Sequence, residues 1–361
     1  MNKEKLQSLF ISPYTTIKQA MQKLDETAEK IIFIVDDKNR LLGTITDGDI
    51  RRGIINGIEF SDKVENIVKR DFISIPFNTS GIEEHAKQLM IENRVEQIPI
   101  IDNKGLISDV VLWTDILGEK KDELKPAQPY SNHVVIMAGG KGTRLDPFTR
   151  ILPKPLIPIG NKPVIELIMD KFYQSGFYKF TYTLNYKKEY LKLFLKENDF
   201  PYLIDWVEED HFLGTAGSLS LLKDKISDTF FVTNCDSLLD VDFQEVFKWH
   251  KEHKATITIV GCLNEVKIPF GVLHLSNGKL EKILEKPIQD IIINTGVYVM
   301  EPHIFSYLSP NEPIDMNKLI EKVIEKEKIS VYPISRKWFD IGQWEEYRET
   351  VVKLGDIESV Q

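Results

Sequence analysis

Between Ala138 and Pro163 the chain reads AGGKGTRLDPFTRILPKPLIPIGNKP, a run whose residue types suit the handling of a triphosphate. Gly139, Gly140 and Gly142 follow directly on the apolar stretch that ends at Ala138. From there to Thr143, backbone N–H groups can approach phosphate oxygens without side-chain obstruction. Arg144 and Lys154 add cations that pair with phosphate. Prolines at 147, 153, 155 and 158 stiffen the segment carrying Lys154, so its charge is held in place. The glycines do not form the full dinucleotide fingerprint, and no Gly-Lys-Ser/Thr occurs at Walker A spacing. Neither an NAD site nor a P-loop is therefore expected.

Further on, Asp236 ends an apolar run at Val232-Thr233-Asn234-Cys235. Ligands of open α/β sheets collect at the carboxyl ends of strands, and a carboxylate there can hold Mg²⁺ against phosphate oxygens. A turn or capping aspartate is the other reading. His250 and His253 are spaced like metal ligands, but His250 falls on an apolar helix face with no third ligand near it in sequence, which predicts a core or partly exposed histidine. Cys235 has no visible base partner and reads as packing.

The elements that must position these residues alternate. Strands are expected at Val134–Ala138, Phe180–Asn185, Tyr202–Glu208, Thr229–Asn234 and Ala255–Cys262. Helices are expected at Pro163–Ser175, Lys187–Lys196, Ala216–Leu222 and Phe243–Glu252, the last opened by a capping box of Asp242 and Glu245. Such alternation predicts a mainly parallel sheet with helices on both faces. From Phe270 on the pattern turns to hairpins, with Asn277-Gly278 as a tight turn. This α/β domain is expected over residues 132–355, behind a proline-bearing linker at 123–131.

Ahead of the linker lies an internal repeat offset by about 66 residues. Ala20 and Leu24 match Ala86 and Met90, Val35-Asp36 matches Ile101-Asp102, and Asp49-Ile50 matches Asp115-Ile116. The two copies occupy 1–60 and 61–122, each reading helix, strand, turn, strand, helix. A formal charge of −9 over 361 residues disfavours a nucleic-acid binder. The N-terminus carries no apolar leader and no stretch is long enough to span a bilayer; with only two cysteines, a reducing cytoplasm is the expected setting.

The string from Ala138 to Pro163 resembles the GxGTRLxPxT…PKP signature of the nucleotide-sugar pyrophosphorylases, or sugar-1-phosphate nucleotidylyltransferases. The resemblance implies a Rossmann-like, GT-A-like fold and a Mg²⁺-dependent transfer of a nucleoside monophosphate from an NTP to a sugar 1-phosphate. It implies that Ala138, Gly139, Gly140, Gly142 and Thr143 line the nucleotide, with Arg144 on the leaving pyrophosphate and Lys154 between the reacting phosphates. Gly214 and Thr215, in a Leu-Gly-Thr-Ala-Gly run preceded by Glu208-Glu209, resemble the loop that holds base and ribose. Asp340, in Trp-Phe-Asp-Ile-Gly, resembles the second metal carboxylate beside Asp236, the alternative being an N-cap for a helix at Trp344–Lys353. Gly271, Glu285-Lys286-Pro287 and Asn294-Thr295-Gly296 resemble the sugar-phosphate segments. The combination looks most like guanylyltransferases, which implies GTP.

The repeat resembles a tandem CBS pair, carried by Gly43-Thr44-Ile45-Thr46-Asp47-Gly48-Asp49-Ile50. In that family the residues matching Thr46 and Asp49 bind the phosphate and ribose of an adenine nucleotide. N-cap and turn roles are the alternative, and in the second copy Leu112 replaces Thr46. CBS pairs fused to such a transferase look like the glucosamine-1-phosphate guanylyltransferases of legionaminic acid synthesis, which implies a hexosamine phosphate. Mannose 1-phosphate or glucose 1-phosphate with GTP or another NTP, or a catalytically silent nucleotide sensor, are the alternatives. CBS pairs commonly dimerise, so a homo-oligomer is implied.

Overall fold

A computed structural model describes residues 3–350, apart from 28, 30, 80, 94, 96, 113–128, 336, 337 and 349. The chain divides into two compact units, Met1–Leu124 and Lys125–Gln361.

The first unit holds the repeat. One copy builds a sheet from Phe10–Ile11, Ile31–Val35 and Leu41–Thr46, the other from Ile75–Pro76, Gln97–Ile101 and Ile107–Leu112. In both, the first pairing is parallel and the second antiparallel. The matched Asp36 and Asp102 do the same work, each turning the chain between strands with one carboxylate oxygen. Asp36 accepts from the N–H of Lys38 and Arg40, Asp102 from those of Lys104 and Leu106, all at 2.8–2.9 Å. Leu9, Phe33 and Val35 of one copy share a core with Ile107 and Val110 of the other. Thr46 caps the helix Asp47–Ile55 reciprocally with Asp49. The buried Asp49 carboxylate also pairs with Arg52 at 2.6 Å and Lys69 at 2.8 Å. Burial opposes its ionisation, but the bonds from Lys69, Thr46 and Arg52 hold its pKa below the usual carboxylate range. The matched Asp115-Ile116 lies outside the described residues.

The second unit is a mixed, mainly parallel α/β sheet. Its strands are β1 (Tyr130–Ala138), β2 (Phe177–Leu184), β3 (Leu203–Glu208), β4 (Phe230–Asn234), β5 (Ile257–Lys267), β6 (Ile288–Met300) and β7 (Ile329–Ser335), in the order β3-β2-β1-β4-β6-β5-β7. Only β6 runs against its neighbours. Alternation along the central strands divides the core. Val134, Ile136 and Ala138 face the helices Val164–Gln174 and Phe243–His253, while Val135 faces the side carrying Leu219, Met316 and Leu319. Both faces are covered, as a parallel sheet requires.

Local differences from expectation have local causes. The first strand begins at Tyr130, inside the expected linker, because its N–H bonds to Gly176 O at 2.9 Å and its ring stacks on Phe177. The helix expected at Ala216–Leu222 is a short turn, Gly214–Gly217, followed by 3₁₀ structure, since Ala216 and Gly217 both donate to Ile314 O. Asp242 caps its helix alone: the Glu245 carboxylate pairs with Lys248 at 2.8 Å instead of turning back. The Asn277-Gly278 hairpin forms as expected, both residues taking positive φ.

His250 is fully buried, its ring nitrogens 2.8 Å from Thr258 Oγ1 and 3.2 Å from Glu301 Oε1. Burial, outweighing the Glu301 charge, pushes its pKa down to about 4 from the ordinary 6.5. The unfolded chain thus takes up a proton that the folded chain refuses. The stability this contributes is complete above pH 6.5 and lost as pH falls towards 4. Urea unfolding of the wild type at pH 5 is expected to show about 2 kcal/mol less stability from this site than at pH 7. His250→Gln should remove that part of the difference; an unchanged slope would show that the ring titrates normally.

Candidate active site

The central strands β1 and β4 are parallel neighbours, and their carboxyl ends deliver the glycine-rich loop and Asp236 to one edge of the sheet. Gly139 is buried, Gly140 exposed, and Gly142 takes φ +66°, a conformation favouring glycine. A Cβ on Gly142 would lie 3.0 Å from Lys154 Cβ, so the loop folds against the lysine stem. The side chain of Lys154, only 12% exposed, reaches Asp236, whose own is 9% exposed, and the ammonium ion-pairs with Oδ2.

Asp340 arrives from far along the chain. The short strands Ser237–Leu239 and Trp338–Asp340 pair antiparallel with Ser237 opposite Asp340, and Ile341 N–H donates to Asp236 O at 3.0 Å. The two carboxylates are thereby held beside each other. A Cβ built on Gly342 would meet Asp340 Oδ1 at 2.7 Å, Asp236 Oδ2 at 3.0 Å and Lys154 Nζ at 3.3 Å. Three groups from three segments ring one backbone position. Burial and then the Asp236 charge push the Asp340 pKa up, opposed by Lys154, the Gly342 N–H bond and Arg144. Arg144 is exposed, and its charge is felt at Asp340. Asp340 is a strand-end residue rather than an N-cap. Residues 344–348 are helical, and Trp344 Nε1 donates to Asp146 O at 3.0 Å, fastening the segment after Asp340 to the glycine-rich loop.

The other residues fall into two groups. Thr215 accepts from Met316 N–H at 2.8 Å, and a Cβ on Gly214 would lie 2.6 Å from Ile314 O, so this turn is fixed on the chain before the helix Met316–Ile324. At the hairpin base a Cβ on Gly271 would lie 3.1 Å from Glu285 Oε2, and Lys286 beside it is exposed with φ +48°. Asn294, on β6, donates to Tyr298 OH at 2.9 Å and accepts from Gly296 N–H at 3.0 Å. Thr295 O accepts from Ser237 Oγ at 2.7 Å, which ties this strand to the residue following Asp236. Ala138 and Thr143 flank the loop itself.

Spacing did not separate Glu208 from Glu209. Glu208 faces Lys188 and Lys192, which hold its pKa down at about 2, whereas Glu209 is buried, accepts from Leu213 N–H at 3.0 Å and is pushed up by burial. Its Oε1 would lie 2.6 Å from a Cβ on Gly139, so Glu209 belongs to the loop's wall. Cys235 is buried with its thiol pushed up to about 12 by burial and by Asp236, consistent with packing. No helix among the described residues is long and apolar enough to cross a membrane.

The glycine-rich loop and the paired carboxylates thus lie together at the carboxyl edge of the sheet, where ligands of open α/β sheets collect. The chain belongs to the nucleotidyl transferase family, whose model matches residues 133–356, and the CBS domain model matches residues 3–56 and 64–122. Mannose-1-phosphate guanyltransferase of Schizosaccharomyces pombe is 31% identical over 223 residues, covering 59% of this chain and 61% of that protein. Mannose-1-phosphate guanylyltransferase 1 of Arabidopsis thaliana is 31% identical over 223 residues, covering 59% and 62%. The chain thus spans about three fifths of the length of these relatives. Among solved structures, HddC from Yersinia pseudotuberculosis complexed with GMP-PN is similar at 25% identity and TM-score 0.50, over 62% of this chain and 99% of that one. An apo UDP-glucose pyrophosphorylase, 19% identical with TM-score 0.50 over 63% and 100%, shares the fold.

Proposed function

We propose that the protein transfers GMP from GTP to a hexose or hexosamine 1-phosphate, forming a nucleoside-diphosphate sugar and pyrophosphate. The observation that carries the reading is the convergence of Lys154, Asp236 and Asp340 beside the glycine-rich loop. An anionic oxygen of the sugar phosphate attacks the α-phosphorus, the bond to the β-phosphate oxygen breaks, and pyrophosphate leaves with that electron pair. The nucleophile is already charged, so no general base is needed and the work is positioning and charge neutralisation. Lys154 neutralises charge between the two reacting phosphates, and Arg144 with the Gly139–Thr143 backbone holds the leaving group.

The donor set fits Mg²⁺. Asp236 and Asp340 offer hard carboxylate oxygens, and among the described residues no cluster of three His, Cys, Asp or Glu side chains offers a metal site. Magnesium is commonly held by one or two carboxylates plus substrate phosphates and water. When bound, it supplies Lewis-acid stabilisation of phosphate charge.

Guanine is favoured by the names of the relatives. For the sugar, those names favour mannose 1-phosphate, whereas the fused CBS pair favours glucosamine 1-phosphate. A pyrophosphate-release assay crossing five NTPs with hexose and hexosamine 1-phosphates tests both. GTP with one of these sugars is the expected best pair, and no release with any pair would end the reading.

We infer further that the CBS pair takes an adenine nucleotide at Thr46 and Asp49, which would have to compete with Arg52 and Lys69 for the carboxylate, and that the protein forms a homo-oligomer. Calorimetry with AMP and ATP should show heat that Asp49→Ala abolishes; no heat from the intact protein would refute the site. Light scattering reads the oligomer.

A further inference from the structure

The ion pair between Lys154 and Asp236 raises a question of occupancy. Both side chains are nearly buried, and removing one partner of such a pair leaves an uncompensated charge. A divalent cation held by Asp236 and Asp340 needs the carboxylate on which the ammonium of Lys154 rests. Two cations on one carboxylate in a largely water-excluded site repel strongly. The ring around Gly342 has so little room that even a methyl group would press on Asp340, Asp236 and Lys154 together.

The lysine is also built to leave without dragging its backbone. Its stem lies against Gly142 and Pro155 follows it, so the displaced ammonium moves by its outer side-chain bonds alone. The stem already borders the loop that runs from Gly142 to Arg144, so the freed charge is delivered beside the proposed phosphate site.

We infer that Lys154 is the place-holder of the cation site: its ammonium neutralises Asp236 in the ligand-free protein and is released toward the phosphates when a divalent cation takes that carboxylate. The destination of the ammonium rests on the proposed transferase reading; the exchange at Asp236 does not. One residue would thus couple cation binding to delivery of the charge that the reacting phosphates need, so that the two arrive together.

The test is Mn²⁺ binding to the full chain without nucleotide, read by electron paramagnetic resonance of the free ion. Lys154→Met keeps an unbranched stem of nearly the same length and removes the competing charge. It should bind Mn²⁺ at least about tenfold more tightly than wild type, because a like charge has been taken from the site. The double variant Lys154→Met/Asp236→Asn should lose that gain. Affinity in Lys154→Met that is unchanged or weaker overturns the inference, as does a gain that survives Asp236→Asn. Circular dichroism and melting verify the fold, and Lys154→Gln carries the same comparison if the Met variant does not fold. Failure of the transferase reading shows separately, as wild type that releases no pyrophosphate whatever its Mn²⁺ affinity.

Discussion

Asp236→Asn is expected to lower kcat for pyrophosphate release roughly 10³-fold, in the range seen when a transition-state electrostatic contact is deleted. Asparagine keeps the shape, so the backbone bond from Ile341 N–H to the carbonyl of residue 236 survives, and with it the ribbon between Ser237–Leu239 and Trp338–Asp340. What disappears is one negative charge at the centre of the cluster. Lys154 then has Asp340 as its remaining neighbouring carboxylate, so the ammonium is not stranded and the fold should persist. Both proposed contributions of Asp236 fail together: holding the cation, and holding Lys154 until that cation arrives. Steady-state kinetics with circular dichroism on the same preparation separates the effect from unfolding. A rate close to wild type would remove Asp236 from the machinery and with it the proposed reaction geometry.

The two residues whose placement could be read from spacing, Lys154 and Asp236, lie on segments with strong local signals: a proline-rich run after a glycine loop, and the end of a buried strand. Asp340 is different. Its neighbours look like a helix start, and what brings it to Asp236 is a three-residue pairing with a strand about a hundred positions earlier, which no local period encodes. The repeat was legible because a turn aspartate must recur where two strands must be joined twice, as Asp36 and Asp102 show. Burial on both faces hid the alternation of the central strands. Val134, Val135 and Ile136 form a continuous apolar run although successive residues serve opposite cores. The two adjacent glutamates make the same point for chemistry. One ends an edge strand and meets lysines; the next turns inward behind the loop, and residue type alone assigns neither.

The second large effect belongs to a residue with no side chain. Gly342 does not take a left-handed backbone conformation, so alanine there carries no torsional penalty and even reduces the entropy of the unfolded chain. Its methyl group, however, would lie 2.7 Å from Asp340 Oδ1, well inside ordinary carbon–oxygen contact. The least costly relief is for the Asp340 carboxylate to swing away, giving up the 2.9 Å bond from Gly342 N–H that now orients it. Asp236 Oδ2 and Lys154 Nζ, at 3.0 and 3.3 Å from the same point, would be pushed in the other direction. Displacing catalytic groups by a fraction of an ångström to an ångström costs about 10²-fold in rate. Gly342→Ala should therefore lose about two orders of magnitude in kcat while its melting temperature stays within a few degrees of wild type. A variant that melts normally and turns over normally would mean that the space between the three groups is never used. A rate that falls only in step with stability would mean that Gly342 serves packing alone.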